Sequence, residues 1–228
     1  MADRPYVLLS VAASVDGYID DASDRRLLLS DAADLDRVDE LRAGCDAIMV
    51  GAGTIRRDNP RLLVRSPARR AARRASGQTA SPVKVTLTGS GDLDPAARFF
   101  TAGDAARLVY ASTAAAALAR ARLAGAAAVI DAGAPVTVAA VLADLAGRGI
   151  RRLLVEGGTS MHTQFLATGV ADELQLAIAP FFVGDPAAPR FVGSGAFPHD
   201  AAYPMELAEA RPVGNMVLLR YLLGPRPG

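Results

Sequence analysis

The sequence predicts an α/β protein: a mostly parallel central sheet flanked by helices, with an antiparallel hairpin at its C-terminal end. Three observations lead there. Short apolar runs of strand length alternate with segments of helical spacing from Tyr6 to Ala179, as in parallel sheets covered on both faces. Two of those runs pass directly into glycines that open a helix, at Gly51 to Gly53 and at Gly157 to Gly158. The chain then closes on two strand-like arms around Gly214-Asn215.

Each element has its own signal. Tyr6 to Ala13 is an apolar run too short for a typical helix and reads as a buried strand. Ser14 to Gly17 ends it with turn residues, with Asp16 placed to bond nearby backbone N–H groups. Asp31 to Ala43 carries Leu35, Val38 and Leu41 at helical spacing; Ser30 or Asp31 can cap it and Gly44 can end it. Asp46 to Val50 is a second strand. Gly51 to Gly53 reads as a tight turn, with a short helix from Thr54 that Asn59-Pro60 stops. Residues 65–81, rich in Arg, Ala and Ser, read as a surface excursion with one helical turn or two, and the basic run Arg65 to Arg74 reads mainly as solvated.

Alternation then resumes. Val83–Thr88, Arg107–Ala111, Ala126–Ile130, Arg152–Val155 and Glu173–Ala179 are strands. Thr113–Leu123, Val136–Ala146 and Gly158–Ala167 are helices, and Gly125 ends the first of these. The hairpin arms are Glu206–Val213 and Met216–Leu223. The reading is of one domain over residues 1–228.

Composition limits the function classes. The 25 Lys and Arg nearly cancel the 24 Asp and Glu, so bulk charge gives no reason to expect nucleic acid or an anionic membrane. The single Cys45 and the lack of a signal-like segment lead us to expect the cytoplasm. His162 and His199 are the only histidines, too few to suggest a metal site or a catalytic triad. His162 reads as an exposed or hydrogen-bonded helix residue.

The two glycine junctions carry the chemistry. Glycines where a strand enters a helix let a ligand approach the backbone, and a helix N-terminus offers N–H groups and a positive dipole end to a phosphate. In the first junction Thr54 adds a hydroxyl. In the second, Glu156 sits at the C-terminal end of a buried strand, where open α/β sheets bind ligands. Neither is a standard dinucleotide fingerprint: Arg56 occupies the position of the third small residue, and Pro60 stops the helix. Together they suggest a nucleotide cofactor.

Read in order, the motifs are Arg4-Pro5-Tyr6, Ser14 with Asp16-Gly17, Leu41-Arg42-Ala43 and Asp46-Ala47-Ile48. Then come Gly51, Gly53, Thr54, Asp58, Pro60, Leu62, Val64 and Arg65, followed by Val155 to Gly158, Asp172 to Leu174, Pro180 and Gly184. This ordered set resembles the pyrimidine reductases of riboflavin biosynthesis, whose fold is that of dihydrofolate reductase. The resemblance implies an NADPH-dependent reductase that turns the ribosyl group of a phosphoribosylaminopyrimidine into ribityl. It implies cofactor contacts at Ala12, Gly53, Thr54, Asp58, Gly157, Gly158, Thr159, Ser160, Met161 and Gln164. It implies substrate contacts at Arg42, Leu62, Arg65 and Glu156, with Arg42 and Arg65 facing the 5′-phosphate. Asp58 becomes the candidate to position or relay a proton. A homodimer is also implied, and the apolar run Met216 to Leu223 agrees with it.

The chain departs from the common family pattern at Tyr18, where many relatives carry Lys or Arg, and at Arg25 to Ser30, where relatives often have a Trp-Ile segment. No zinc deaminase pattern is read in this sequence, so either a separate protein is expected to supply that step or the substrate is expected to be the undeaminated diamino compound. Two alternatives follow. One is a paralogous reductase acting on a pterin or a specialised-metabolite intermediate, which gene neighbourhood would reveal. The other is a non-catalytic nucleotide-binding module, which would bind cofactor without turnover.

Overall fold

The computed structural model describes residues 4–23, 25 and 27–224. The N-terminal residues 1–3 and part of the Arg25 to Ser30 departure fall outside the described residues. In chain order the elements are β1 (Tyr6–Ser14), α1 (Ala32–Ala43), β2 (Ala47–Gly51), α2 (Ala52–Asp58) and α3 (Pro67–Ala75). Next are β3 (Val83–Thr88), α4 (Arg98–Thr101), β4 (Arg107–Ala111), α5 (Thr113–Arg122), β5 (Ala128–Asp131) and α6 (Val138–Gly147). The last are β6 (Arg152–Val155), α7 (Thr159–Ala167), β7 (Glu173–Ala179), β8 (Glu206–Val213) and β9 (Met216–Leu222). The strands form a nine-stranded sheet in the order β5-β4-β3-β2-β6-β1-β7-β9-β8. It is mostly parallel with an antiparallel C-terminal pair, as the alternation and the closing hairpin predict.

The described residues divide into two compact units, one of residues 4–5 and Asp39–Leu154, the other of those in Tyr6–Val38 and of residues 155–224. In the first, β2, β3, β4 and β5 pair in parallel. The apolar runs of β2, β3 and β4 are buried because helices leave little of a parallel sheet open: Ile48, Met49, Val85 and Val109 are fully covered, whereas the edge strand β5 is not buried. Lys84, the chain's one lysine, is buried among them. Its ammonium donates to the carbonyls of Phe99 at 2.9 Å and Ala102 at 2.6 Å, at the C-terminal end of α4. A cation there meets the negative end of the helix.

In the second unit β1 pairs with β7 in parallel, from Leu8 opposite Glu173 to Ser14 opposite Ala179. β9 then pairs antiparallel with both β7 and β8. The hairpin turns at Gly214, whose φ of 58° suits glycine. Asp31 is the residue that caps α1, accepting the Asp34 N–H at 2.9 Å, and it also accepts the Asn215 N–H at 2.9 Å.

The structure corrects three expectations and adds one observation on α1. The helix after β2 begins at Ala52, so Gly53 lies in its first turn and Gly51 precedes it. Residues 65–81 contain a nine-residue helix, α3, capped by Ser66. Its Arg73 is buried, not solvated, and donates to the carbonyls of Thr79, Ala43 and Cys45. On α1 the apolar Leu35, Val38 and Leu41 are only half-buried, while Asp34, Arg37 and Asp39 are buried. Arg37 survives burial by pairing with Asp34 and donating to Gln175 at 2.7 Å.

Candidate active site

In the first unit, the segment from Gly51 to Ser66 builds one set of candidate groups. Ala52 and Ile55 anchor α2 in the core. Thr54 and Asp58, one turn apart, lie on the same side of the helix and are both half-buried. Nothing lies within 4 Å of where a Cβ on Gly53 would sit. Asn59 ends α2 with φ at 44°, as a C-cap in the left-handed region. Its side-chain oxygen accepts the Arg98 N–H at 2.6 Å.

Leu62 holds φ at 50° with its side chain buried. For a leucine this conformation costs about 1–3 kcal/mol and persists only where surroundings impose it. The surroundings here are side chains that hold the following backbone. Residues 61–66 pair with no strand, so their polar groups need other partners. Arg42 donates to the Leu63 carbonyl at 3.3 Å. Ser81 accepts the Val64 N–H at 3.0 Å. Arg70 donates to the carbonyls of Val64 and Arg65 at 3.3 and 2.9 Å. Asp39 accepts the N–H groups of Arg65 and, at 3.1 Å, Ser66. The Arg65 side chain remains 53% exposed on this fixed backbone.

In the second unit, β6 leads through Glu156 and Gly157 into α7. Glu156 is half-buried. A Cβ on Gly157 would lie 2.3 Å from the Cβ of Met161, so this glycine makes room for the protein's own buried side chain. Gly158 caps α7 in an extended conformation with no side-chain cap. The first turn of α7 thus presents backbone N–H groups of the kind that bind anions. The Thr159 hydroxyl donates to the Arg190 carbonyl. Thr163 accepts the Gly193 N–H at 2.8 Å, so α7 also holds the 190–193 loop. Ser160 and Gln164 are exposed, and Ala12 on β1 is half-buried beside Ala177.

Two further residues differ from expectation. His162 is buried on α7, and burial pushes its pKa down to about 4, against a smaller upward effect of the Phe191 and Val155 backbone. Neither ring nitrogen meets a partner at full hydrogen-bond geometry among the described residues. It is a neutral core residue. Asp16 reaches well beyond its own turn: it accepts the N–H groups of Val183 at 3.1 Å and Gly184 at 2.8 Å. Desolvation opposes its ionisation, but these donors and the Ser14 hydroxyl outweigh it and bring the carboxyl to about 2. Arg190 stacks on the Tyr18 ring at 4.4 Å and donates to the Tyr18 hydroxyl.

Sequence reading missed Asp39, Asn59 and Arg190. Asn59-Pro60 was legible as a stop, but not its tie to α4. Asp39 stands four residues after Leu35 on a helix, one turn along the same face, but that spacing does not reveal the Arg65 backbone it meets. No group of three or more His, Cys, Asp or Glu suited to a metal ion occurs among the described residues, and no helix among them is long and apolar enough to cross a membrane.

Comparison with known proteins adds a family. A model described as the RibD C-terminal domain matches residues 5–219. The chain is 37% identical over 183 residues to a protein of Archaeoglobus fulgidus named 2,5-diamino-6-ribosylamino-4(3H)-pyrimidinone 5′-phosphate reductase, covering 79% of this chain and 83% of that one. A protein of the same name from Methanothermobacter thermautotrophicus is 34% identical, covering 96% of this chain and 98% of its own. Among solved structures, Acinetobacter baumannii RibD aligns with a TM-score of 0.77 at 22% identity, over 98% of this chain and 59% of that one. This chain therefore spans about three-fifths of that larger protein. An Enterococcus faecalis dihydrofolate reductase aligns with a TM-score of 0.52 at 12% identity, over 96% of this chain and 97% of that one, a likeness of fold. A family match along nearly the whole chain, two long relatives and the shared sheet together mean that the chain belongs to the RibD C-terminal domain family, with a dihydrofolate-reductase-like fold.

Proposed function

We propose that this protein is an NADPH-dependent reductase of riboflavin biosynthesis. It converts the ribosyl group of 2,5-diamino-6-ribosylamino-4(3H)-pyrimidinone 5′-phosphate to ribityl. The observation that carries this reading is the near full-length similarity to two archaeal proteins named for that reaction. The undeaminated pyrimidine is the first choice for the same reason. The deaminated compound is the second reading, because the chain also aligns with RibD proteins over about half their length, as with 32% identity to that of Bacillus amyloliquefaciens over 50% of its chain.

The cofactor reading rests on the fit of the residues. The first turn of α7, from Gly158 through Ser160, has no side-chain cap and suits a pyrophosphate, with Met161 closing the turn onto the Gly158 carbonyl. The open space at Gly53 suits close approach to the α2 backbone, with Thr54 and Asp58 one turn apart beside it. Because the Thr159 hydroxyl already bonds Arg190, this residue would contribute its backbone N–H. Ala12, Ser160 and Gln164 complete the proposed cofactor contacts. When bound, the cofactor would supply a hydride, with C1′ of the sugar as the carbon to accept it. The chain's own residues then do the rest by positioning. Arg65 and Arg42 hold the 5′-phosphate, since guanidinium groups bind it bidentately. Leu62 packs against the substrate and Glu156 bonds the pyrimidine or its ribosyl arm. Asp58 positions or relays the proton that goes to the sugar oxygen or imine nitrogen as the hydride arrives. We also read the enzyme as a cytoplasmic homodimer acting on a small phosphorylated heterocycle.

The test is NADPH oxidation by the purified protein, with the undeaminated and deaminated 5′-phosphates offered separately. Turnover on the first is expected. Turnover on the second alone would replace the substrate. Binding of NADPH with no turnover on either would discard the riboflavin reaction.

A further inference from the structure

Arg65 owes its placement to a carboxylate that neither the family motifs nor the sequence pattern singled out. Asp39, on the third turn of α1, is only 2% exposed. One of its oxygens accepts the Arg65 N–H and lies 3.7 Å from the Arg65 Nε. The other accepts the Ser66 N–H and the Arg69 guanidinium, each at 3.1 Å. The same carboxylate thus grips Arg65 at its backbone and stands beside its side chain, and it sits at the N-terminal end of α3, where negative charge is favoured. Desolvation raises the pKa of Asp39, but the Arg65, Ser66 and Arg69 donors outweigh it, so the group stays ionised.

We propose that Asp39 is a positioning residue for substrate-phosphate binding: it fixes the backbone and the guanidinium root of Arg65 so that Arg65 meets an anionic phosphoryl group in one orientation. This rests on the reading of Arg65 as the phosphate contact. The gain is preorganisation. An arginine on unpaired extended backbone has many orientations to lose on binding, and a fixed one has fewer. Charge balance is compatible with the role. Asp39 with Arg65 and Arg69 sums to one positive charge, so an anion is still attracted while the guanidinium is leashed.

The experiment compares KM for the 5′-phosphorylated substrate, its dephosphorylated riboside and NADPH, in D39N, R65A and the double variant. D39N keeps the side-chain shape but loses the charge and turns a donor toward Ser66 and Arg69. It is expected to raise KM for the phosphorylated substrate about tenfold and to leave the riboside and NADPH values within about twofold. On the R65A background D39N is expected to add less than about twofold, because it acts through Arg65. Multiplying effects in the double variant would overturn the proposal, as would equal rises with phosphorylated and dephosphorylated substrate. If R65A itself leaves the phosphorylated KM unchanged, Arg65 is not the phosphate contact, and that reading falls first. Should D39N fail to fold, R69Q tests the same coupling: a rise of about threefold that vanishes in R65A supports it, and no rise overturns it.

Discussion

Two glycines of the candidate site are glycine for opposite reasons. Gly53 lies in the first turn of α2 with no neighbour within 4 Å of a would-be Cβ, so nothing in the chain itself demands a glycine. Gly53→Ala is expected to stabilise the fold by about 0.5–1 kcal/mol, since glycine costs about that much in a helix. It is also expected to weaken NADPH binding by occupying the space at the backbone. Thermal melts and cofactor titration check both, and a stabler variant with unchanged NADPH affinity would take the cofactor away from this turn. Gly157→Ala puts a Cβ against Met161 and is expected to cost about 1–3 kcal/mol by overpacking. Thr54→Val and Asp58→Ala are each expected to weaken NADPH binding about tenfold, the scale of one hydrogen bond to a charged group. Unchanged affinity in both would mean these residues serve only the α2 fold. At this scale the sequence was readable where the signal is local, as with the turn at Gly214 and the helix stop at Asn59-Pro60. It was unreadable where a contact spans distant segments: Asp39 meets Arg65 across 26 positions, and Asp16 meets Gly184 across 168.

Elements were legible when their signal was local. β1, β3, β4, β6 and β7 follow from apolar runs, and their bounds match within one residue. α1 was found from Leu35, Val38 and Leu41, yet its buried side carries Asp34, Arg37 and Asp39. The helix was legible but its most buried residues were not, because a charged residue enters a core once its partners are in place, and partners such as Gln175 and the Arg65 backbone lie far along the chain. α3 was underestimated because its arginines look like solvent residues until Arg73 finds three carbonyls. α4, four residues long, had no periodicity to read. Its C-terminal end is held by Lys84, and this gives a pH-dependent prediction. Burial first, and Arg107 second, lower the Lys84 pKa to about 8. Between pH 8 and the unfolded value near 10.5 the unfolded chain binds more protons at this group than the folded one, so stability from it rises with pH over that window and the cost returns below pH 8. Tyr110 acts oppositely above pH 10: burial and then Asp144 raise its pKa, so the unfolded phenol ionises first and stability falls. Urea unfolding at pH 7.5 and 9.5 is expected to show the wild type gaining about 1–2 kcal/mol more than Lys84→Met. Equal gains would mean the buried ammonium is solvated in the native state.

At the scale of the molecule, the sheet was predictable as a type because alternation forces parallel strands and a two-residue turn forces a hairpin. Strand register was not, and register is what exposes the last feature. On β9, Met216 and Leu218 are buried with Ala177, Ala179 and Val213. The intervening Val217, Leu219 and Tyr221 stand opposite Ile178, Leu176 and Leu174 on β7, and opposite Pro212, Ala210 and Leu207 on β8. Residues directly opposite share a face, so three strands present one apolar face. Much of it is open: Leu207 is 54% exposed and Val217 48%. Contiguous apolar surface of this kind marks an interface. The edge strand β8 itself resists indiscriminate pairing, with a bulge between Leu207 and Glu209 and with Pro212 lacking an N–H. Face-to-face association of two copies fits these facts better than extension of the sheet, and a two-fold axis would match the patch to itself. Light scattering is expected to give a dimer for the wild type at micromolar concentration and a folded monomer for the Leu207→Glu, Val217→Glu pair. Both side chains are already exposed in the single chain, so the pair should leave its fold intact. A monomeric wild type would refute the association, and a double variant that stays dimeric would move the interface to another face.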